Sequence, residues 1–249
     1  MRKFITYFLS LMMIVFFVVG CSEESSTEPD GNGTNNPPSY IGPGGVFDGV
    51  LVAIFTASVI DIPGIGPQAV QIGTATAFFY SGSNNVNAGT VSVDGEDMTY
   101  NSGIYIYTPD ALNPTGLSFG NPSWNVAGGN GIPAFNYTTS NGMPSITSFQ
   151  NSSTTVDVSS DYTLGLGTAS VNLSDSLYFG VYGPSGNLYI TKARSQGSSH
   201  TFTAAEMATV GKGAGYVQIA AYRFQEFMTG GKNFAFVNEG VLTQAVTLQ

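Results

Sequence analysis

Few side chains here could perform chemistry, and those few stand far apart in the sequence. His200 is the single histidine and Cys21 the single cysteine among 249 residues. A Ser-His-Asp triad would have to use His200, in Ser198-Ser199-His200-Thr201-Phe202, but no G-x-S-x-G elbow offers it a serine. One histidine and one cysteine cannot make up a zinc ligand set, so no metal site is expected. Asp30, Asn32 and Thr34 start like a calcium loop, yet Asn35 occupies the glycine position and Ile41 the closing glutamate position. Gly211-Lys212-Gly213-Ala214-Gly215 lacks the spacing of a phosphate loop and the Ser/Thr after its lysine, and reads as a connector. Paired carboxylates for glycoside hydrolysis would have to face one another across ~5–10 Å, which sequence spacing does not specify. No catalytic residue or cofactor is assigned, and a hydrolase is carried only as an outside alternative.

The aromatic side chains offer binding rather than catalysis. Tyr105 and Tyr107 alternate with Ile104 and Ile106, and Tyr178 and Tyr182 alternate with Leu177, Phe179 and Val181, so each strand turns one set outward. These four tyrosines are the expected exposed patch, suited to a protein partner or to stacking on sugar rings. Trp124 could join such a platform, but a lone tryptophan in a β protein more often packs between sheets.

Cys21 has a different setting. Arg2 and Lys3 begin the chain, Phe4 to Val19 is an apolar run broken by Thr6, Tyr7 and Ser10, and Val18-Val19-Gly20-Cys21 closes it. This is the layout of an export signal, with a run shorter than the ~20 residues of a membrane span. Val18-Val19-Gly20-Cys21 resembles the lipobox of bacterial lipoproteins. That resemblance implies cleavage before Cys21, a diacylglycerol on its sulfur and a further acyl chain, such as palmitate, on the new amino terminus. With each buried methylene adding ~0.8 kcal/mol, two or three chains would anchor the protein firmly. Ser22 after the cysteine implies, by the family's sorting pattern, the outer membrane. Ser22-Glu23-Glu24 is similar to an acidic surface-export signal and equally readable as a solvated linker, leaving the cell surface and the periplasmic face both open.

The rest of the chain must position these groups. Ser22 to Pro38 has no aliphatic or aromatic residue and reads as part of an acidic tether over residues 21–43. From Gly44 onward, short apolar runs alternate with glycine, proline and asparagine, the rhythm of an all-β protein. Strands are expected at Val50–Ile60, Thr74–Tyr80, Thr90–Val93, Met98–Tyr100, Ile104–Tyr107 and Trp124–Ala127. A second set covers Thr154–Val158, Tyr162–Leu166, Leu177–Tyr182, Leu188–Lys192, His200–Phe202, Tyr216–Phe224, Phe234–Val237 and Val241–Leu248. Asp94-Gly95 marks a type I′ hairpin that accounts for Glu96 and Asp97 without catalysis. A boundary near Ser152 divides two expected β-sandwich domains, 44–151 and 152–249, the second immunoglobulin-like. One short helix is expected near 204–210, opened by the capping box Thr203-Ala204-Ala205-Glu206 and ended at Gly211.

Trp124-Asn125-Val126, Ile132-Pro133-Ala134-Phe135, Asp175-Ser176-Leu177-Tyr178, Thr201 to Met207 and Gly231 to Glu239 together resemble a group of uncharacterised Bacteroidota lipoproteins. The resemblance implies location and fold and carries no activity.

Charge narrows the partners. The formal net charge is −9, and without Arg2 and Lys3 five bases face sixteen acids. No Lys or Arg lies between Cys21 and Thr191. Such a surface repels phosphate backbones, so nucleic acid is excluded as a partner. Charged residues are only 9% of the chain, which leaves edge strands poorly guarded against pairing. The expectation is a lipid-anchored, noncatalytic envelope or cell-surface interaction protein, with a glycan-binding module as the alternative.

Overall fold

The computed structural model describes residues 47–249 except 63–65, 83, 152, 172, 173 and 175, with backbone only at 58–62, 66–69 and 170. The expected signal, Cys21 and the tether lie outside the described residues. The chain is all-β with one short α-helix. In order come β1 (Gly49–Ile62), β2 (Gly66–Ser81), β3 (Asn84–Asn85), β4 (Val91–Val93), β5 (Glu96–Asp97), β6 (Thr99–Asn101), β7 (Ile104–Tyr107), β8 (Ser123–Val126) and β9 (Phe135–Thr138). β10 (Ser145–Ile146), β11 (Thr155–Val156), β12 (Tyr162–Gly165), β13 (Ala169–Ser170), β14 (Ser176–Tyr182), β15 (Asn187–Ala193) and β16 (Ser199–Phe202) follow. The helix α1 (Ala204–Met207), β17 (Gly213–Thr229) and β18 (Lys232–Leu248) complete it.

Ten strands share one sheet, ordered β15-β14-β17-β18-β1-β2-β7-β6, with β11 beside the end of β18 and β3 beside the end of β2. The first long strand therefore lies against the last. β1 runs parallel to β18, Gly49 opposite Phe234 through Ser58 opposite Thr243. Its other neighbour, β2, is antiparallel, as is β17 to β18. Gly230 and Gly231, at φ +56° and +74°, make the two-residue turn between β17 and β18, a conformation glycine reaches without steric cost. Asp94 and Gly95 adopt the expected positive angles, +50° and +86°, between β4 and β5.

Side chains alternate across this sheet, and one face carries two apolar cores. Leu51, Ala77, Phe79, Phe234 and Phe236 pack beneath the small sheet β5-β4-β8-β9, with Trp124 and Val126 of β8 among them. Leu177, Phe179, Ile219, Leu242 and Val246 pack with Leu164 of β12, Phe202 of β16 and Met207 of α1. Between the cores the segment around 139–146 crosses the sheet. Asn238 donates to Thr139 Oγ1 and to the Gly142 carbonyl, both at 3.0 Å, and Arg223 donates to the carbonyls of Asn141 and Gly142.

The main sheet draws strands from both sides of the boundary expected near Ser152, and Ile41–Gln249 form one compact unit. What changes near that boundary is the covering layer: β4, β5, β8 and β9 over the first core, β12, β16 and α1 over the second.

β18 also runs straight through Asn238-Glu239-Gly240, where the sequence reading ends one strand and starts another. Each of the three has a tertiary reason to stay in the strand. Asn238 is bonded as above, Glu239 meets Tyr222, and Gly240 admits the Pro144 carbonyl, which a Cβ there would approach to 2.3 Å. Such partners override local strand propensity.

The capping box forms as expected. Glu206 N–H donates to Thr203 Oγ1 at 3.3 Å, Thr203 N–H donates to Glu206 Oε2 at 2.7 Å, and Gly211 takes φ +78° beyond α1.

Candidate functional site

The other face of the sheet gathers the titratable aromatics. Residues directly opposite in a ladder share a face. Tyr178 and Tyr182 of β14 lie opposite Ala220 and Tyr216 of β17, and Tyr189 of β15 lies opposite Gly180. Ser176 of β14, Tyr222 of β17, Glu239 of β18 and Ile54 of β1 form one row across four strands. The sequence places them there by simple alternation: in Tyr216-Val217-Gln218-Ile219-Ala220-Ala221-Tyr222 the aliphatic Val217 and Ile219 go to the core, while Tyr216, Gln218 and Tyr222 go to this face.

Gly180 lets the two tyrosines of β14 meet. Residues four apart on a strand are separated by roughly 13 Å, so their rings reach each other only by leaning along the strand over the intervening residue. At Gly180 there is no side chain to obstruct them: an added Cβ would lie 2.7 Å from the Tyr182 ring and 3.0 Å from that of Tyr178. The hydroxyls of Tyr178 and Tyr182 are hydrogen-bonded to each other. Tyr182 also stacks on Tyr216, centroids 4.3 Å apart at 14°, and Tyr178 on Tyr189, 6.0 Å at 25°. Next to this group Gln218 Nε2 donates to Thr243 Oγ1 at 3.1 Å.

Electrostatically, this face resists charge. Burial pushes the Tyr178 phenol far above the ordinary tyrosine range and Tyr182 up to about 12. Tyr222 is raised well above its usual value by burial and by the Glu239 carboxyl beside it. Glu239, partly buried, is pushed up to about 7 by burial, with the hydrogen bond from Tyr222 pulling the other way. Ser176, 1% exposed and opposite Tyr222, has no hydrogen-bond partner for its Oγ. The arrangement can therefore take up and release a proton at Glu239 near neutrality.

The four tyrosines expected to form an exposed patch divide between the two faces. Tyr105 is 1% exposed inside the first core, because the tyrosines of β7 and not Ile104 and Ile106 face inward. Its hydroxyl donates toward the Gly89 carbonyl (2.7 Å) and Asn87 Oδ1 (2.9 Å) and accepts from Ala88 N–H at 2.8 Å. Tyr107 is partly buried against the same core. Tyr178, also 1% exposed, and the partly buried Tyr182 are on the opposite face. The exposure expected of Tyr105 and Tyr178 is thus corrected: β14 is buried on both sides, and aromatic residues are drawn inward by the area they bury. Trp124 is 1% exposed in the first core, 6.4 Å from Phe236, packed between the main sheet and its cover.

His200 sits in β16 opposite Leu164, 4.6 Å from the Phe202 ring and 6.4 Å from Phe179. Burial, then the nearby Lys192, holds it below the ordinary histidine value, with Glu206 acting against them. Lys192 donates to the Ser199 carbonyl and lies 5.2 Å from the centre of the Phe179 ring. Among the described residues no group of three or more His, Cys, Asp or Glu is placed to hold a metal.

Glu239, Tyr189, Tyr216 and Tyr222 were not singled out from the sequence. A signal existed, since Glu239 is the one acid in the otherwise uncharged Asn233–Gln249 stretch, and Tyr216 and Tyr222 keep even spacing with Gln218. Comparison with family models, curated proteins and solved structures finds no match to this chain.

Proposed function

We propose that this chain is a lipid-anchored, noncatalytic interaction protein of a bacterial outer membrane. The observation that carries the reading is Val18-Val19-Gly20-Cys21 after a basic start and an apolar run, followed by a tether without apolar residues. A compact all-β unit beyond residue 41 is the kind of body such a tether presents. The edge of the main sheet supports an interaction role. β15 ends the sheet, contains no proline or acid, and its single charge, Lys192, is turned to the Ser199 carbonyl. An edge guarded so lightly is suited to accept a strand from a partner. A glycan platform built on Tyr105 and Tyr178 has no support in their placement, because neither ring is open to a sugar.

Cys21→Ser tests the anchor. Loss of signal processing and release of the protein from the membrane fraction are expected; unchanged processing and attachment would refute it. Protease shaving of intact cells then assigns the face, with digestion expected at the cell surface and full protection until lysis placing the protein in the periplasm.

A further inference from the structure

We propose that Glu239 is a protonation latch for the tyrosine face: with its carboxyl neutral, β14, β17 and β18 stay packed there, and ionisation loosens them. The inference stands apart from the membrane anchor and rests first on position. β18 is paired on both sides, with β17 and with β1, so the Glu239 side chain cannot swing past a strand edge into water. Its neighbours along the same face of β18 are Val237 and Val241, 7% and 8% exposed, and across the ladder stands Ile54, 8% exposed. On the remaining side is Tyr222, whose hydroxyl bonds the carboxyl. The residue is partly buried, so its carboxyl is only partly hydrated, and the fuller hydration an anion demands requires the side chains around it to part.

The groups around it do not neutralise the charge. Facing it from β17 are Tyr216, Tyr222 and, farther along, Glu226; from β14 come Tyr178 and Tyr182, and from β15 Tyr189. At the level of Glu239, β1 and β2 present Ile54, Thr56 and Thr74. The described bases are elsewhere. Lys192 and Arg223 leave the opposite face, Lys232 is paired with Asp48 at 2.7 Å, Lys212 lies near Asp157, and Arg194 follows β15 at the sheet edge. Ionisation therefore adds an uncompensated negative charge to a row that already contains Ser176 with an unused hydroxyl. Burial pushes the carboxyl up to about 7, so its ionisation falls near neutrality. Tyr178 and Tyr182, joined through their hydroxyls and stacked on Tyr189 and Tyr216 respectively, are two strands away in the same aromatic group.

Hydrogen exchange on the full chain from pH 5 to pH 9, corrected for intrinsic rates, tests the latch. Amides of β14, β17 and β18 are expected to lose about tenfold or more in protection through a midpoint near neutrality, while those of β4 and β8 stay level. Glu239→Gln keeps a hydrogen-bonding group without the charge, and its profile is expected to be flat. Tyr222→Phe removes the bond that favours the carboxylate, moving the midpoint to higher pH. A flat wild-type profile overturns the proposal without any variant, as does a wild-type transition that persists in Glu239→Gln or that Tyr222→Phe leaves in place.

Discussion

Tyr105 and Tyr178 are equally buried, yet their hydroxyls are held in opposite ways. Tyr105 is fixed by main-chain groups of the 87–89 segment and by Asn87, none of which titrates. Tyr178 is held by Tyr182, in a group that extends through Tyr222 to a carboxyl. A phenol bonded to backbone pins a loop at every pH, whereas one bonded to other titratable groups makes packing depend on their protonation. Burial alone would not have distinguished them.

The largest effect that can test this contrast is Tyr105→Ala. It empties a core position beside Phe79, whose ring centre lies 5.7 Å away, and frees the Ala88 N–H. A loss of roughly 3–5 kcal/mol in denaturant unfolding is expected, of similar size at pH 5 and pH 8. A strongly pH-dependent loss would break the comparison.

Next comes the pH dependence of the wild-type protein. The Glu239 pKa is raised from 4.5 to about 7 in the folded state, so the folded chain binds this proton more tightly than the unfolded one. Its contribution is fully present below pH 4.5 and is lost as pH rises through 7, on the order of 3 kcal/mol at ~1.4 kcal/mol per pH unit. The difference in unfolding free energy between wild type and Glu239→Gln isolates it. A constant difference across that window would show that Glu239 does not titrate there.

The two hydroxyls can be compared directly. Tyr105→Phe leaves the buried Ala88 N–H without its partner and is expected to cost ~1–3 kcal/mol. Tyr182→Phe still leaves Tyr178 facing an apolar ring with its phenol neutral, and about 1 kcal/mol is expected. Equal losses would mean that the bonding partner does not matter. Smallest is Gly180→Ala, whose Cβ meets movable ring edges rather than backbone. Up to ~1 kcal/mol is expected, together with a changed near-ultraviolet circular dichroism signal as Tyr178 and Tyr182 separate. An unchanged signal would show that they do not meet over Gly180.

Much of the fold could be read from local rules. Thr203 and Glu206 specify their capping box through side chains three residues apart, and Asp94-Gly95 specifies its turn through positive φ. The alternation in Leu177 to Tyr182 sorts Leu177, Phe179 and Val181 to the core as expected. Exposure was harder to read, because alternation separates two faces without saying what lies on either. In Ile104 to Tyr107 it left the inward face undecided, and the tyrosines took it. Glu239 was harder still: its partners Tyr222 and Ile54 are 17 and 185 positions away, so the run around it looks like a break between strands until the ladder is assembled.

The sequence by itself determined the all-β class, the capped helix and its turn, and the resemblance of Val18-Val19-Gly20-Cys21 to a lipidation site, because each depends on residues within a few positions of one another. Tertiary structure alone decided that one sheet carries both cores, and that Tyr178, Tyr182, Tyr189, Tyr216 and Tyr222 share a face with a carboxyl whose pKa is raised by burial. Those outcomes depend on which strands become neighbours. The parallel pairing of β1 with β18 joins the two ends of the described chain and sets Ile54 against Glu239, and no local pattern encodes a contact over that separation.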